Sequence, residues 1–164
     1  MPFRYKMMPS PVGELRLIAS DTGLAALVWK VHRHEALPGE TFEHDPQHSI
    51  LLEAEQQLNE YFDGKRTEFT LPLDLRGTPF QQRVWAELQH IPYGETCSYL
   101  YIARKLGDEK ATRAVGAANG RNPISIIVPC HRVIGANGSL TGYGGGVEQK
   151  RWLLAHETSD TRLF

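Results

Sequence analysis

The chain has 164 residues, of which 41% are hydrophobic and 23% are charged, and its formal net charge is -1 at pH 7. This composition is ordinary for a globular protein. It contains no run of about 18 apolar residues that would mark a membrane span, and its N-terminus lacks the apolar core of a signal peptide. Its two cysteines do not form a disulfide framework, so we expect a reducing, cytoplasmic location.

The charge is divided unevenly on either side of a turn signal at Gly77-Thr78-Pro79. Residues 1–77 contain 8 Lys and Arg against 12 Asp and Glu, whereas residues 78–164 contain 10 against 7. We therefore predict two domains, 1–77 and 78–164. The basic excess of the second half weakly favours a polyanionic partner, although imbalances of this size also arise by chance.

The first half predicts a small sheet with one helix. Alternating apolar residues predict three sequential strands in an antiparallel meander near residues 3–7, 15–19 and 24–31. The polar stretch 32–47 is predicted to be a loop. Ser49 is the expected N-cap of a helix that ends at Asp63-Gly64.

The second half predicts mainly helices, which makes the whole chain α+β. Thr78, Pro79 and Gln81 form a capping-box pattern at the start of a helix that reaches Ile91. Two shorter helices follow, at residues 98–107 and about 110–119, and a tight glycine-containing turn joins them. That arrangement is typical of a helix-turn-helix.

The second of these short helices is unusually rich in small residues. Two interpretations stay open: the small residues pack tightly in a core, or they let the backbone approach a narrow groove. Arg113 in the same helix is either an exposed ion-pair residue or a cation that enters a base stack. The small residues are Ala111, Ala114, Gly116, Ala117 and Ala118.

The segment around Cys130 contains the parts of an activated nucleophile. An apolar run at 124–128 is predicted to be a short strand, and Pro129-Cys130-His131-Arg132 follows it. Neighbouring positive charge lowers the pKa of a thiol, so His131 and Arg132 favour a reactive thiolate. A glycine-rich stretch to residue 146 predicts a loop that either wraps a ligand closely or is merely flexible, and a final helix spans about 148–156.

Cys130, His131 and the later carboxylate Glu157 fit the nucleophile, base and orienting acid of a Cys-His-acid site. Each residue alone has a structural alternative, because free cysteines, single histidines and terminal glutamates are usually not catalytic. Cys97 is interpreted as a small structural residue. A structural zinc needs about four ligands of the Cys or His type, so we expect no metal.

Pro129-Cys130-His131-Arg132-Val133 resembles the active-site signature of the O6-alkylguanine-DNA alkyltransferases. Further motifs of that family are similar in order along the second half, and a weaker match covers the first half. They are Phe80-Gln81, Ile91-Pro92-Tyr93-Gly94, Ser98-Tyr99, Arg113-Ala114-Val115-Gly116, Asn122-Pro123 and Tyr143-Gly144-Gly145-Gly146, with Ser10-Pro11-Val12-Gly13 and Tyr61-Phe62-Asp63-Gly64 in the first half.

The resemblance implies a ribonuclease H-like first domain and a chemistry for the second. Cys130 would take the alkyl group from O6-alkylguanine, and also from O4-alkylthymine, irreversibly and once. His131, acting through a water, and Glu157 would activate the thiol. Tyr99 would hydrogen-bond the leaving base, and Asn122 would be the hinge between the groove helix and the thiol segment. No cofactor is implied, because the protein is itself the acceptor.

The resemblance also implies a minor-groove interface on duplex DNA with the damaged nucleotide rotated out. Arg113 would fill the gap, and a monomer is expected, with cooperative binding to DNA left open. The other implied DNA-binding residues are Tyr99, Ala111, Thr112, Ala114 and Gly116, and the implied base pocket is Val133, Tyr143, Gly144 and Gly145. Where some relatives carry serine, this chain has Gly144, which predicts a roomier pocket.

Two alternatives remain at this stage. One is a damage sensor of the alkyltransferase-like kind, which binds alkylated DNA without repairing it; the presence of Cys130 argues for chemistry instead. The other is a Cys-His hydrolase, in which the thiol is regenerated at each turnover. A suicide acceptor differs from it by consuming one equivalent of substrate.

Overall fold

The computed structural model describes residues 2–29, 37–135, 138 and 146–159 of the chain. It is α+β, with a mixed sheet in the first half and helices in the second, which confirms the predicted class. The first half comprises β1 (Phe3–Met8), β2 (Leu15–Ala19), β3 (Leu24–Trp29), β4 (Phe42–His44) and α1 (Ser49–Phe62). The second half comprises α2 (Pro79–Leu88), β5 (Cys97–Ser98), α3 (Tyr99–Lys105), α4 (Thr112–Gly120), β6 (Val133–Ile134) and α5 (Val147–Ser159).

The sheet of the first half has the strand order β3-β2-β1-β4. Strands β1, β2 and β3 form the predicted antiparallel meander, whereas β4 pairs in parallel with β1 and places Phe42 opposite Phe3. The prediction of a loop over 32–47 was therefore wrong for the three residues of β4. Three residues are too few for an alternating pattern to be visible, and the strand is held by its partner: the rings of Phe3 and Phe42 lie 6.1 Å apart.

Helix α1 packs its apolar stripe against one face of this sheet. Its buried positions include Leu51, Ala54, Leu58 and Tyr61, the spacing expected for one helical face. The helix begins at Ser49, but the capping side chain is His48, whose Nδ1 accepts a hydrogen bond from the Ile50 amide at 3.3 Å. The predicted cap was thus one residue late.

Helix α2 begins with the predicted capping box. Thr78 Oγ1 accepts from the Gln81 amide at 3.1 Å, and Gln81 Oε1 accepts from the Thr78 amide at 2.9 Å. The buried Trp85 of this helix donates from Nε1 to the Ala118 carbonyl of α4 at 2.9 Å. Helix α2 is therefore the support on which α4 rests.

Helices α3 and α4 form the predicted helix-turn-helix pair. The turn between them contains Gly107, whose φ of +83° favours glycine, and a 3-10 turn over Glu109–Ala111. The predicted start of the second helix at Lys110 falls in this 3-10 turn, and α4 proper begins at Thr112. Asp108 caps the 3-10 turn by accepting from the Lys110 amide at 3.0 Å.

The predicted strand at 124–128 does not exist. These residues form consecutive turns that are joined to β3 by one isolated bridge, between Leu27 and Ile124. The Leu27 amide donates to Pro123 O at 2.9 Å, and the Ser125 amide donates to Leu27 O at 3.3 Å. Every residue of 124–128 is buried, so the apolar run reflects burial on all sides rather than a strand.

One main hydrophobic core runs through both halves of the described chain. It includes Leu17 and Leu27 from the sheet, Leu58 from α1, Val84 from α2 and Leu153 from α5. Among the described residues, no helix is long and apolar enough to cross a membrane. The division at residue 77 stays a prediction.

Candidate active site

Cys130 lies at the start of a 3-10 turn, Cys130–Arg132, immediately after the buried turns of 124–128. It is 3% exposed. Its amide donates to Val128 O at 2.8 Å, which closes a tight turn around Pro129. The thiol is therefore held by a rigid, buried backbone segment that is itself hydrogen-bonded to β3.

Two buried asparagines join this thiol segment to helix α4. Asn122 Nδ2 donates to Val128 O at 2.8 Å, while its Oδ1 accepts from the Ile124 amide at 3.0 Å. Asn119, at the end of α4, donates from Nδ2 to Cys130 O at 3.4 Å. The structure thus places Asn122 between α4 and the thiol, where the sequence predicted a hinge.

His131 and Glu157 are in direct contact, as predicted, although 26 residues separate them in the chain. His131 Nε2 and Glu157 Oε2 lie 2.6 Å apart, and both side chains are buried. Because the carboxylate accepts, Nε2 carries the hydrogen and Nδ1 is the acceptor nitrogen of the ring. Nδ1 is buried and has no hydrogen-bond partner among the described residues.

Arg132 has a different role from the one its sequence position suggested. Its Nε and NH2 donate to Glu157 Oε1 and Oε2 at 2.8 and 3.0 Å, and its NH1 donates to Ile91 O at 2.7 Å. The guanidinium is therefore committed to the glutamate in a bidentate pair. It holds the acid rather than the thiol.

The pKa of Cys130 is raised rather than lowered. Burial raises it, while a hydrogen bond from Asn122, the charge of Lys150 and a hydrogen bond from Ser125 act in the other direction. The expectation that neighbouring positive charge produces a free thiolate was therefore wrong. In the free protein the buried thiol is protonated at neutral pH, and its activation requires a base.

The charges of the histidine and the glutamate follow from burial and pairing. Burial lowers the pKa of His131, and Glu157 only partly opposes this, so the imidazole is neutral at pH 7. Burial alone would raise the pKa of Glu157, but His131 and Arg132 outweigh it and hold the pKa well below the usual range. The pair therefore combines an ionised acid with a neutral base.

Lys150 is a site residue that sequence reasoning missed. It is fully buried in α5, and its Nζ donates to Val133 O at 2.7 Å. Burial lowers the pKa of its ammonium, and its charge interacts with Cys130. The sequence did carry a signal, because Lys150, Leu153 and Glu157 are spaced 3 and 4 residues apart on one face of α5.

Tyr99 is the first residue of α3, and its ring faces α4. A Cβ placed on Gly116 would meet Tyr99 Cδ1 at 3.9 Å, so the ring rests on the smallest residue of α4. Burial raises the pKa of the Tyr99 hydroxyl, and interaction with Cys130 raises it further. The Tyr99 hydroxyl and the thiol are therefore near enough to interact electrostatically.

The small residues of α4 lie in two different environments. Ala118 is buried and packs in the core, whereas Ala114 and Ala117 are exposed. Arg113 is exposed beside Ala114. The exposed side of α4 is therefore flat except for one arginine.

The remaining predicted site residues fall in three places. Ala111 and Thr112 are half-buried at the start of α4, with Thr112 Oγ1 donating to Glu109 O at 2.8 Å. Val133 is buried directly after the thiol turn. The predicted pocket residues Tyr143, Gly144 and Gly145 lie outside the described part of the chain.

Comparison with known proteins agrees with this arrangement across the whole chain. A model of the 6-O-methylguanine DNA methyltransferase DNA-binding domain matches residues 79–159, and a model of the ribonuclease-like domain of the same family matches residues 3–75. The methylated-DNA–protein-cysteine methyltransferase of Mycobacterium bovis is 53% identical over 98% of both chains. The constitutive methyltransferase of that name from Bacillus subtilis is 46% identical over 92% of both chains.

Solved structures give the same relationship. Mycobacterium tuberculosis OGT in complex with DNA has a TM-score of 0.87 and 51% identity, and the match covers 95% of this chain and 93% of that one. An O6-methylguanine DNA methyltransferase from Methanococcus jannaschii has a TM-score of 0.67 and 29% identity over 93% of both chains. This chain therefore belongs to the O6-methylguanine DNA methyltransferase family, and it is an alkyl-transferring enzyme of DNA repair.

Proposed function

We propose that Cys130 is the residue that accepts the alkyl group of O6-alkylguanine in duplex DNA, in a single irreversible transfer. The observation that carries this proposal is the buried thiol beside a neutral His131, which is hydrogen-bonded to an ionised Glu157 at 2.6 Å. A buried thiol with a raised pKa needs a base, and the base is the next residue.

The transfer is an in-line displacement at the alkyl carbon. The sulfur–carbon bond forms as the carbon–O6 bond breaks, and the electron pair leaves with O6. The thiol proton passes to Nδ1 of His131, which accepts through a bridging water, and Glu157 stabilises the imidazolium that results. Tyr99 donates a hydrogen bond to the departing guanine anion, and Lys150 stabilises the thiolate. The anion takes up a proton from water as His131 releases the one it accepted. The alkyl group stays on sulfur as a thioether.

Helix α4 would meet the minor groove of the DNA. Its exposed Ala114 and Ala117 allow a close approach of the backbone, and Arg113 is the long cation that enters the space left by a rotated nucleotide. Such a surface contacts the DNA backbone and reads few bases, which suits a protein that repairs damage in any sequence. Asn122 would then transmit a displacement of α4 to the thiol segment through its hydrogen bond to Val128 O.

Mass spectrometry tests this function directly. After incubation with a duplex that contains one O6-methylguanine, the Cys130 peptide is expected to gain one methyl group, with one equivalent consumed per protein. Cys130→Ser is expected to bind the duplex and gain nothing. Binding by the unsubstituted protein without any mass gain would instead indicate a damage sensor, and continued turnover would indicate a hydrolase.

A further inference from the structure

Glu157 accepts a hydrogen bond from a side chain of the first half of the chain. Tyr61, in helix α1 of the first half, donates from its hydroxyl to Glu157 Oε2 at 2.7 Å across 96 positions of sequence. Both residues are buried, with 0% and 1% exposure. The catalytic acid of the second half is therefore held in part by a residue of the ribonuclease-like region.

The donor set of the carboxylate explains what this contact adds. Oε1 accepts from Arg132 Nε at 2.8 Å and from the Gly94 amide at 3.4 Å. Oε2 accepts from His131, Arg132 and Tyr61 at 2.6, 3.0 and 2.7 Å. Tyr61 thus shares one oxygen atom with the catalytic histidine, and a hydrogen bond to that oxygen reduces the negative charge that the histidine experiences.

The ring of Tyr61 is fixed by its neighbours, so its hydroxyl has a defined position. The rings of Phe69, Tyr93 and His156 lie 5.5, 6.2 and 5.1 Å from it, and they come from three different parts of the chain. His156 also approaches the backbone of α1, with Nε2 2.7 Å from Tyr61 O. A side chain held in this way can orient the carboxylate at no entropic cost during the reaction.

We propose that Tyr61 is a positioning residue for alkyl transfer: its hydroxyl fixes Glu157 Oε2 against His131 and keeps the histidine neutral and ready to accept the thiol proton. This inference rests on the proposed roles of Cys130, His131 and Glu157. The charged and titratable groups around the pair are Arg132 from the thiol turn, Lys150 and His156 from α5, Tyr93 from the segment after α2, and Tyr61 itself.

The test is the single-turnover rate of methyl transfer to Cys130, measured with saturating O6-methylguanine duplex across pH. Tyr61→Phe is expected to slow the limiting rate about tenfold, the effect of one lost hydrogen bond of that strength. It is also expected to move the acid limb of the profile to higher pH, because a carboxylate with one donor fewer makes His131 easier to protonate. The Kd for DNA should not change.

Tyr5→Phe is the matched control. It deletes a tyrosine hydroxyl from β1 in the same half of the chain, where the Tyr5 ring contacts His44 and Arg16 rather than Glu157. Its pH profile is expected to match that of the unsubstituted protein. A rate for Tyr61→Phe that is unchanged, or lowered equally at every pH, overturns the inference, as does an acid-limb shift in Tyr5→Phe.

A second variant tests the same role without the risk that the substitution impairs folding. Site-specific 3-fluorotyrosine at position 61 keeps the ring in place and makes the hydroxyl a stronger donor, so the acid limb should move to lower pH. No movement, or movement to higher pH, contradicts the proposal. If the unsubstituted protein gains no methyl on Cys130, the proposed function itself fails; if it does and Tyr61→Phe behaves identically, only the role of Tyr61 fails.

Discussion

The environment of Cys130 shows how neighbours in sequence differ from neighbours in space. Arg132 is two residues away, but its guanidinium is bound to Glu157. Lys150 is 20 residues away, and its charge acts on the thiol. The cation that matters for the nucleophile is therefore supplied by α5, and the nearer cation serves the acid.

Removal of that cation is expected to slow the transfer. Lys150→Met deletes the charge that opposes the burial of Cys130, so the thiolate becomes harder to form. We expect the rate of methyl transfer at pH 7 to fall roughly tenfold, which corresponds to one pKa unit of thiolate population. The measurement is the time course of the methyl gain on the Cys130 peptide.

Lys65→Met provides the comparison for Lys150→Met. Lys65 is exposed after the end of α1, so its loss removes the same charge from the whole protein without changing the site. Its rate should equal that of the unsubstituted protein. Equal rates for Lys150→Met and Lys65→Met would show that the charge of Lys150 does not assist the nucleophile.

At the scale of an element, α4 has one buried face and one exposed face. Val115, Ala118 and Asn119 are buried, whereas Arg113 and Ala114 are exposed. Small side chains on the buried face allow tight packing, and on the exposed face they would allow the close approach proposed for DNA. Sequence alone could not separate these roles, because both require residues without bulk.

A larger side chain on the exposed face of α4 should weaken DNA binding without unfolding the protein. Ala114→Leu is expected to raise the Kd for duplex DNA by about tenfold or more, because a few misplaced atoms in a close interface cost on the order of 1.4 kcal/mol. Ala155→Leu, at an exposed alanine of α5, is the control. Fluorescence anisotropy at fixed salt measures both, and equal affinities would exclude α4 as the contact surface.

The start of α2 gives a prediction about stability. Thr78→Ala removes the side-chain half of the capping box, and Trp85 of the same helix supports α4 through its bond to Ala118 O. We expect the free energy of unfolding to fall by about 1 kcal/mol. Urea denaturation measures it, and Thr78→Ser should retain most of the stability.

At the scale of the whole molecule, the buried acid should make stability depend on pH. The pKa of Glu157 is lower in the folded than in the unfolded protein, whose glutamates titrate near about 4.3. Its stabilising contribution is therefore complete above that pH and is lost as the pH falls. As the pH falls from about 5 to 3, protonation of this group alone should lower the free energy of unfolding by up to ~1.4 kcal/mol per pH unit.

Glu157→Gln isolates that contribution. The variant is expected to be less stable at neutral pH, because the buried Arg132 loses its charged partner, and its stability should fall less steeply between about pH 5 and 3. Urea denaturation at several pH values gives both slopes. Parallel slopes would mean that the acid sensitivity arises from other groups.

Features that neighbouring residues determine could be predicted from the sequence, whereas features that depend on distant partners could not. The capping box at Thr78 and the extent of α1 are set by local patterns, and both were predicted correctly. Strand β4 and the turns at 124–128 are determined by their partners β1 and Leu27, so no local pattern could identify them. The pattern of a nucleophile, a base and an acid predicted Cys130, His131 and Glu157 as one site, and the structure brings His131 and Glu157 together. The hydrogen bond from Tyr61 joins positions 96 apart in the sequence, so no local pattern could reveal it.

The burial of Cys130 also bears on chemical selectivity. A single-use acceptor that reacts with a small alkylating agent in solution is lost without restoring any base. A thiol that is 3% exposed and has a raised pKa resists such reagents, because both access and ionisation are limited. As the proposed acceptor, Cys130 would keep its one reaction for an electrophile that the nucleic acid delivers already oriented. Discrimination between the lesion and the agent that caused it would therefore depend on access to the sulfur as well as on its ionisation.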